Sequence, residues 1–191
     1  MKRLLSLMFA TALVLTAPVA LAEEKKEDKK KANREEKRAA IDKVAQEALD
    51  EVLEKAEKAK DLYANAHGWA VFDNLRVTFI FSGGGGAGVA VNKSTGKRAY
   101  MKMGTGGISF GIGAQKYQVI MFFQSEEILT NFIEKGWKAE TGANAAAGSA
   151  GANVGTTFVN GIAVYQITES GLMASADISG TKYWVDKDLN E

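Results

Sequence analysis

A glycine-rich run is the first feature of the chain that could hold a cofactor. Gly83, Gly85 and Gly88 satisfy the GxGxxG spacing and follow a strand-like segment. A dinucleotide site also needs a helix directly after the glycines, because the helix N-terminus holds the pyrophosphate. Here the strand-like segment 89–91 follows, and no acidic residue lies about twenty residues further on. The run is therefore predicted to be a turn or a bulge, whose backbone amides could form an anion-binding nest.

Residue types that carry catalysis are scarce. His67 is the only histidine and cysteine is absent, so the sequence offers neither thiol chemistry nor the usual zinc ligands. His67 stands beside Gly68 and Trp69 at a predicted helix-to-strand junction, and no nucleophile elbow accompanies it. Lysines could act as bases, but no pattern singles one out. We therefore predict a non-enzyme with no catalytic residues, no metal ligands and no cofactor.

Basic residues dominate the stretch between Asp73 and Glu126, which contains no acidic residue. Six basic side chains lie there: Arg76, Lys93, Lys97, Arg98, Lys102 and Lys116. If neighbouring strands pair as hairpins, several of these side chains share one edge or face of a sheet and would attract phosphate headgroups or another polyanion. The alternative is that edge-strand lysines only prevent aggregation. The stretch predicts a lipid-headgroup patch made of these six residues.

The first 22 residues have the features of a Sec-type signal peptide. Basic residues at positions 2 and 3 precede an almost wholly apolar run, and Ala-Leu-Ala at 20–22 offers a small-x-small cleavage site. The apolar run is shorter than the ~20 residues of a transmembrane helix, although an uncleaved anchor is the alternative. We predict cleavage after Ala22 and a periplasmic or secreted protein that is peripheral to the membrane.

The composition of the remaining 169 residues limits the possible partners. They contain 22 basic and 23 acidic side chains, so the charge balance gives no reason to expect a nucleic-acid partner. Without cysteine the fold depends on its core alone, even in an oxidising compartment. The full chain has twenty glycines and a single proline, Pro18, which lies before residue 23, and this balance favours tight turns in a β-rich body.

The chain after the signal changes character near residue 38. Residues 23–38 are highly charged and lack large apolar side chains, so they are predicted to be a solvated tail or a frayed helical extension. Within 39–66, apolar residues recur every three or four positions, from Ile41 to Ala56, which predicts an amphipathic helix. Packing on the body and insertion into a membrane surface both fit this helix, and its many acidic residues favour packing.

Residues 67–191 are predicted to form a β-rich domain. Alternating segments joined by short glycine turns indicate an antiparallel sheet, and 117–123 is apolar on both faces, as in a central strand. Ser125 followed by two glutamates predicts a helix near 125–135 that ends at Gly136. The predicted fold class is α+β: a curved antiparallel sheet, barrel-like if its edges meet, with a long N-terminal helix and a second helix.

Several sequence words in this region resemble the SYLF domain (Ysc84) family, in its bacterial secreted branch. They are GWAVF at 68–72, FIFSGGGGAGVAV at 79–91, GKRAYMKMG at 96–104, GISFGIGAQKY at 107–117, FIEKGW at 132–137, VYQITESGL at 164–172, GTKYW at 180–184 and DLN at 188–190. The resemblance covers 62–190. It implies membrane-lipid binding, often of phosphoinositides, and actin binding in fungal members, and it transfers no catalytic residue.

For a bacterial envelope, the resemblance implies anionic phospholipid as the ligand. The segment matching the lipid-binding helix of animal members, roughly 38–60, departs from a strongly basic, aromatic-bearing helix. The leading hypothesis is a periplasmic or secreted, non-catalytic protein that binds anionic membrane lipids. The alternative is an envelope structural or protein-interaction module that has no lipid ligand and docks a protein partner through the N-terminal helix.

Overall fold

The computed structural model describes residues 17–78, 81–108, 113–138, 157–169, 171–173 and 181–191. Contacts group the chain into two units, Met1–Glu36 and Lys37–Glu191. In the first unit the described residues are helical, and the side chains of residues 25–33 are all exposed. The second unit contains the described sheet.

The described helices are α1 (Ala17–Lys55), α2 (Glu57–Asn65), α3 (Glu126–Lys135) and α4 (Lys187–Asn190). α1 runs without interruption through 23–38, so this charged segment is helical, in keeping with the high helix propensity of its Ala, Glu and Lys residues. The helix predicted over 39–66 is instead divided at Ala56, whose backbone is extended (φ −118°, ψ 104°). After this break α2 buries Ala59 and Leu62.

The described strands form one eight-stranded antiparallel sheet. They are β1 (Gly68–Thr78), β2 (Phe81–Asn92), β3 (Arg98–Ile108), β4 (Gly113–Phe123), β5 (Trp137–Lys138), β6 (Ile162–Thr168), β7 (Gly171–Met173) and β8 (Thr181–Val185). Their order across the sheet is β5-β8-β3-β2-β1-β4-β6-β7, because β4 returns to pair with β1 instead of β3. Within the described residues β5 and β7 do not pair, so the curved sheet is open. The predicted α+β class is confirmed.

Helices cover both faces of the sheet. On one face, here called the α1 face, α1 and α2 pack on strand residues that include Val71 and Ile120. On the other, the α3 face, α3 packs on residues that include Phe72 and Met121. From residue 119 to residue 123, β4 contributes alternate side chains to both cores, which explains why this part of the strand is apolar at every position. The prediction of a central strand is confirmed.

α3 has the predicted ends. The Ser125 hydroxyl accepts a hydrogen bond from the backbone N–H of Ile128 at 3.3 Å, and two glutamates occupy the first turn. Gly136 ends the helix with a φ of +67°, in the left-handed region that favours glycine. Leu129 and Phe132 bury the helix against the sheet.

The glycine run is neither a turn nor a bulge, and this prediction was wrong. Residues 83–86 continue β2 in one-to-one register with residues 77–74 of β1. Strand packing is the physical reason for part of the run, since a Cβ on Gly86 or Gly88 would lie 2.1 or 2.2 Å from a carbonyl oxygen of β1. β2 continues to Asn92, so no helix begins after the glycines, as the sequence indicated.

Candidate functional site

Lys93, one of the six predicted headgroup residues, stabilises the end of a helix. Its ammonium donates hydrogen bonds to the carbonyl oxygens of Tyr63, Ala64 and Ala66, the last at 3.0 Å, and lies 4.3 Å from the centre of the Tyr63 ring. These carbonyls end α2, where a cation also meets the negative end of the helix dipole. Burial lowers the pKa of the Lys93 ammonium. A lipid phosphate would have to replace these internal contacts.

Arg98 and Lys102 each form an ion pair within the protein. Arg98 Nε lies 3.2 Å from Asp42 Oδ1, which joins β3 to α1. Lys102 Nζ lies 3.1 Å from Oδ2 of Asp186, a buried carboxylate. Both basic side chains remain a little under half exposed, so each can still meet a ligand at the surface.

The other predicted basic residues lie on different parts of the sheet. Lys97 and Lys116 are exposed, and their side chains make no ion pair within the described chain. Lys97 is in the turn between β2 and β3, whereas Lys116 is on β4, three strands away from β3. Arg76 pairs in register with residues 84 and 115, and its side chain lies outside the described residues.

The six residues therefore do not form one compact patch. Lys93, Lys97 and Arg98 stand at the β2–β3 turn, while Lys102 and Lys116 lie further along the α1 face. At the usual strand spacing, β3 and β4 are about 15 Å apart across β2 and β1. Sequence reasoning assumed that successive strands pair, and the return of β4 to β1 separates bases that are close in sequence.

The half of the α1 face away from the β2–β3 turn is exposed. One row of residues crosses five strands there in register: Lys182, Gly104, Gly85, Leu75 and Lys116. Leu75 is 45% exposed, and Trp184, which belongs to the next row, is 39% exposed. We name this surface the open face and define it by Leu75, Lys116, Lys182, Trp184 and the glycines between them.

Sequence reasoning missed three residues of the open face: Leu75, Lys182 and Trp184. Among the described residues Leu75 and Trp184 are the exposed large apolar side chains, and Lys182 Nζ lies 5.9 Å from the centre of the Trp184 ring. The spacing of two between Lys182 and Trp184 in a predicted strand is the sequence signal that places them on one face. That signal does not reveal that β8 pairs with β3, which lies far earlier in the chain.

Two glycines of this half of the sheet have no packing requirement. Within the described part of the chain, a Cβ on Gly83 would meet nothing within 4 Å, and a Cβ on Gly85 would meet only a carbonyl oxygen at 3.7 Å. They face the side opposite to Gly86 and Gly88, where the space is filled. The open face is therefore smooth between its lysines, which allows a broad partner to approach the backbone closely.

A cavity of about 200 Å³ lies between α1 and the sheet, beside the open face. Ala40, Ile41 and Ala45 line it from α1, and Val71, Asp73 and Ala87 are among the lining residues from the sheet. Among the described lining residues Asp73 is the charged one, and it is exposed, whereas Ala45 and Val71 are buried. The cavity is thus apolar, with a single carboxylate at its edge.

The C-terminal residues hold α1 over the sheet. Arg38 Nε donates a hydrogen bond to the carbonyl oxygen of Leu189 at 2.7 Å. Asn190 accepts from the backbone N–H of Tyr100 at 3.0 Å and donates to its carbonyl at 2.7 Å. The Tyr100 hydroxyl donates to Asp42 Oδ2 of α1 at 3.0 Å. These contacts fix one wall of the cavity and give a structural role to the DLN word at 188–190.

Alkaline pH is expected to destabilise the fold through buried tyrosines. Burial, together with the hydrogen bond to Asp42, raises the pKa of Tyr100 to about 12, and burial raises the pKa of Tyr165 to about 12. A phenol with a raised pKa in the folded state contributes its full stabilisation below its unfolded pKa of about 10, and this contribution is lost as the pH rises towards 12. The Tm measured by circular dichroism should therefore fall steeply above pH ~10.

Tyr100→Phe tests whether Tyr100 contributes to the loss of stability at alkaline pH. The variant lacks one of the linked hydroxyls, so its Tm should fall less between pH ~10 and ~12 than that of the wild type. An identical fall in both proteins would show that Tyr100 does not contribute to the pH dependence.

His67 has structural contacts at the start of β1. Its Nε2 lies 3.2 Å from Asn92 Nδ2 and 3.9 Å from the carboxylate of Glu126, and its backbone N–H donates to the carbonyl of Phe123 at 2.8 Å. In the described part of the chain, no group of three or more His, Cys, Asp or Glu side chains is arranged to hold a metal ion. The described surface offers binding groups, namely ammonium and apolar side chains.

Among the described helices, none combines the length and the apolar content needed to cross a bilayer.

Known proteins share sequence with this chain. A family model described as Ysc84, Las17-binding protein actin regulator, matches residues 104–191. A curated relative, Beta cell expansion factor A of Aeromonas veronii, is 41% identical over 156 residues. That alignment covers 82% of this chain and 60% of the relative, so the chain spans less than two thirds of the relative's length. Neither the family description nor the relative's name indicates catalysis.

The family match begins inside β3 and includes β4, α3, β8 and α4. It therefore contains Lys116, Lys182 and Trp184 of the open face and the C-terminal contacts that hold α1. The sequence motifs at 68–72 and 79–91 lie before the segment that the family model matches. The alignment with the relative is longer and extends the similarity over most of the chain. On these matches and its α+β fold, the chain belongs to the Ysc84 (SYLF) family.

Proposed function

We propose that this protein is a non-catalytic lipid-binding protein that attaches to anionic phospholipid membranes by its open face. The observation that carries the proposal is the presence of Leu75 and Trp184, both more than a third exposed, on one face of the sheet with Lys116 and Lys182. From the character of residues 1–22, we also propose cleavage after Ala22 and a location in the periplasm or outside the cell.

The open face combines two forces that hold peripheral proteins on membranes. Trp prefers the interface between headgroups and acyl chains, and an inserted Leu side chain is removed from water. Each lysine close to an anionic surface contributes about 1 kcal/mol. Lys116 and Lys182 flank the apolar residues across about 19 Å, taking four strand spacings, and can meet headgroups while Leu75 and Trp184 insert.

The predicted basic residues at and near the β2–β3 turn lie outside the open face, further along the same α1 face. Lys97 is exposed, and Arg98 and Lys102 keep part of their side chains in solvent despite their ion pairs. In the proposal these residues add attraction for anionic headgroups, and Lys93 contributes least because its ammonium bonds the carbonyls that end α2. Attraction of this kind weakens as salt shortens the Debye length.

Reversing the charge at Lys116 and Lys182 should weaken membrane binding. Each lysine contributes about 1 kcal/mol near an anionic surface, so Lys116→Glu with Lys182→Glu should reduce the partition coefficient by about 30-fold or more. Co-sedimentation with phosphatidylglycerol-containing vesicles at low salt measures the loss. Phosphatidylcholine vesicles provide the neutral reference, to which both proteins should bind weakly.

A matched control variant distinguishes an effect of the open face from an effect of the change in net charge. Lys58→Glu with Lys60→Glu makes the same charge change on exposed positions of α2 and should bind nearly as well as the wild type. Equal losses in the two double variants would contradict an open-face site. A wild-type protein that binds no vesicle would overturn the lipid function and favour the alternative, an envelope module that docks a protein partner through α1.

A further inference from the structure

The position and the chemistry of the cavity under α1 indicate which kind of ligand it binds. We infer that it holds one hydrocarbon chain of an amphiphile whose phosphate-bearing headgroup lies on the open face. The inference rests on the proposed lipid-binding function and deepens it, because it adds a chain-binding site to a headgroup surface.

The cavity exists because small residues meet on both of its walls. Ala40 and Ala45 of α1 stand over Ala87 of β2, and none of these side chains reaches across the gap. The network of Arg38, Tyr100 and the C-terminal residues holds α1 at this height. A dry apolar cavity of about 150 Å³ is known to bind benzene, so about 200 Å³ provides room for part of one alkyl chain.

The edge of the cavity is continuous with the open face. Asp73 and Ala87 line the cavity and form a row with Lys102 across β1, β2 and β3. Leu75 follows Asp73 by two residues on the same face, a distance of about 7 Å along the strand, and it pairs with Lys116. A headgroup between Lys102 and Lys116 would therefore lie beside the opening through which its chain enters.

Asp73 restricts the kind of headgroup. Its exposed carboxylate at the edge of the cavity repels a bare carboxylate head, as in a fatty acid, and attracts a cationic group. Lys102 in the same row and Lys116 in the following row lie on strands about 15 Å apart, and either of them can attract a phosphate at this edge. The combination fits a headgroup with both a phosphate and an ammonium, joined to a single chain that enters the cavity.

Alkylphosphocholines below their micelle concentrations are suitable probes. Calorimetric titration of the purified protein with hexyl, octyl and decyl phosphocholine should show affinity rising about fourfold per methylene until the cavity is full. Fatty acids of equal chain length should bind more weakly, and Asp73→Asn should reduce this difference.

A variant whose larger side chain fills the cavity tests whether the cavity binds the hydrocarbon chain. Ala87→Leu should abolish the dependence on chain length, whereas Ala64→Leu, which adds the same group to an exposed position of α2, should retain it. If Ala87→Leu does not fold, as judged by circular dichroism, Ala40→Leu fills the cavity from the α1 side. Unchanged probe binding by a folded cavity-filling variant would overturn the inference.

Anionic-vesicle co-sedimentation in parallel distinguishes this inference from the proposed function. Vesicle binding by the wild type without binding of any alkyl probe overturns the chain site and leaves the headgroup surface supported. Probe binding that Ala87→Leu removes, without vesicle binding, supports the chain site and overturns membrane attachment.

Discussion

Gly88→Ala is expected to lower the free energy of unfolding by about 4 kcal/mol or more, a large part of the ~5–15 kcal/mol that typically stabilises a domain. A Cβ at this position would lie 2.2 Å from the carbonyl oxygen of Val71 and 2.5 Å from Cδ1 of Phe72. Because the nearer atom belongs to the backbone, no change of rotamer relieves the contact. β1 and β2 would have to separate at the centre of the sheet. Urea unfolding followed by circular dichroism measures the effect.

Gly85→Ala is the matched control, three positions earlier on the same strand. Its added methyl group would point to the opposite face and meet only a carbonyl oxygen at 3.7 Å. Alanine also restricts the unfolded chain more than glycine, so the change should be neutral or stabilising within about 1 kcal/mol. Equal stability of the two variants would show that the approach of β1 to β2 does not require glycine at position 88.

The second large effect is expected at Asn74. Its side chain is buried, at 2% exposure, on the α3 face, and among the residues that the structure describes neither its Oδ1 nor its Nδ2 has a hydrogen-bond partner. Asn74→Asp keeps the shape and adds an ionisable group without a partner. The variant should therefore lose several kcal/mol of stability at neutral pH, measured as the midpoint of urea unfolding.

The loss of stability in Asn74→Asp should depend on pH, and the direction of that dependence can be measured. Burial raises the pKa of a carboxyl, so the folded variant binds its proton more tightly than the unfolded one. Its destabilisation should be small near pH ~4 and should grow as the pH rises to 7. A loss that is equal at both pH values would mean that charge burial is not the cause.

Asn74→Leu is the companion variant. It removes two buried polar atoms without partners, each of which costs about 1–3 kcal/mol when unsatisfied, and places an apolar side chain of similar size in the core. We expect stability equal to that of the wild type or higher. Marked destabilisation by leucine would show that the amide makes favourable contacts, which would be a reason to search the α3 face for a polar ligand.

The glycines of residues 83–88 have two different structural roles. Gly86 and Gly88 are required because the backbone of β1 passes too close for any side chain. Gly83 and Gly85 are free of that requirement, and their small size instead keeps the open face smooth. The GxGxxG spacing therefore combines two unrelated demands that happen to fall on alternate sides of one strand.

Local signals in the sequence were sufficient for several elements. Ser125 and Gly136 mark the ends of α3 because capping and left-handed backbone depend on adjacent residues only. The run at 117–123, apolar apart from Gln118, indicated a central strand because burial on both faces favours apolar residues. The α+β class and the antiparallel sheet followed from such patterns.

Only the tertiary structure decided which strands are neighbours, and the candidate site depends on that pairing. The alternation within a strand places a side chain on one of two faces, but it carries no information about the partner strand. β4 pairs with β1, and β8 reaches back to β3, so Lys116, Leu75, Lys182 and Trp184 meet on one surface. These pairings are non-local contacts stabilised by burial on both faces of the finished sheet, and no short segment of the sequence encodes them.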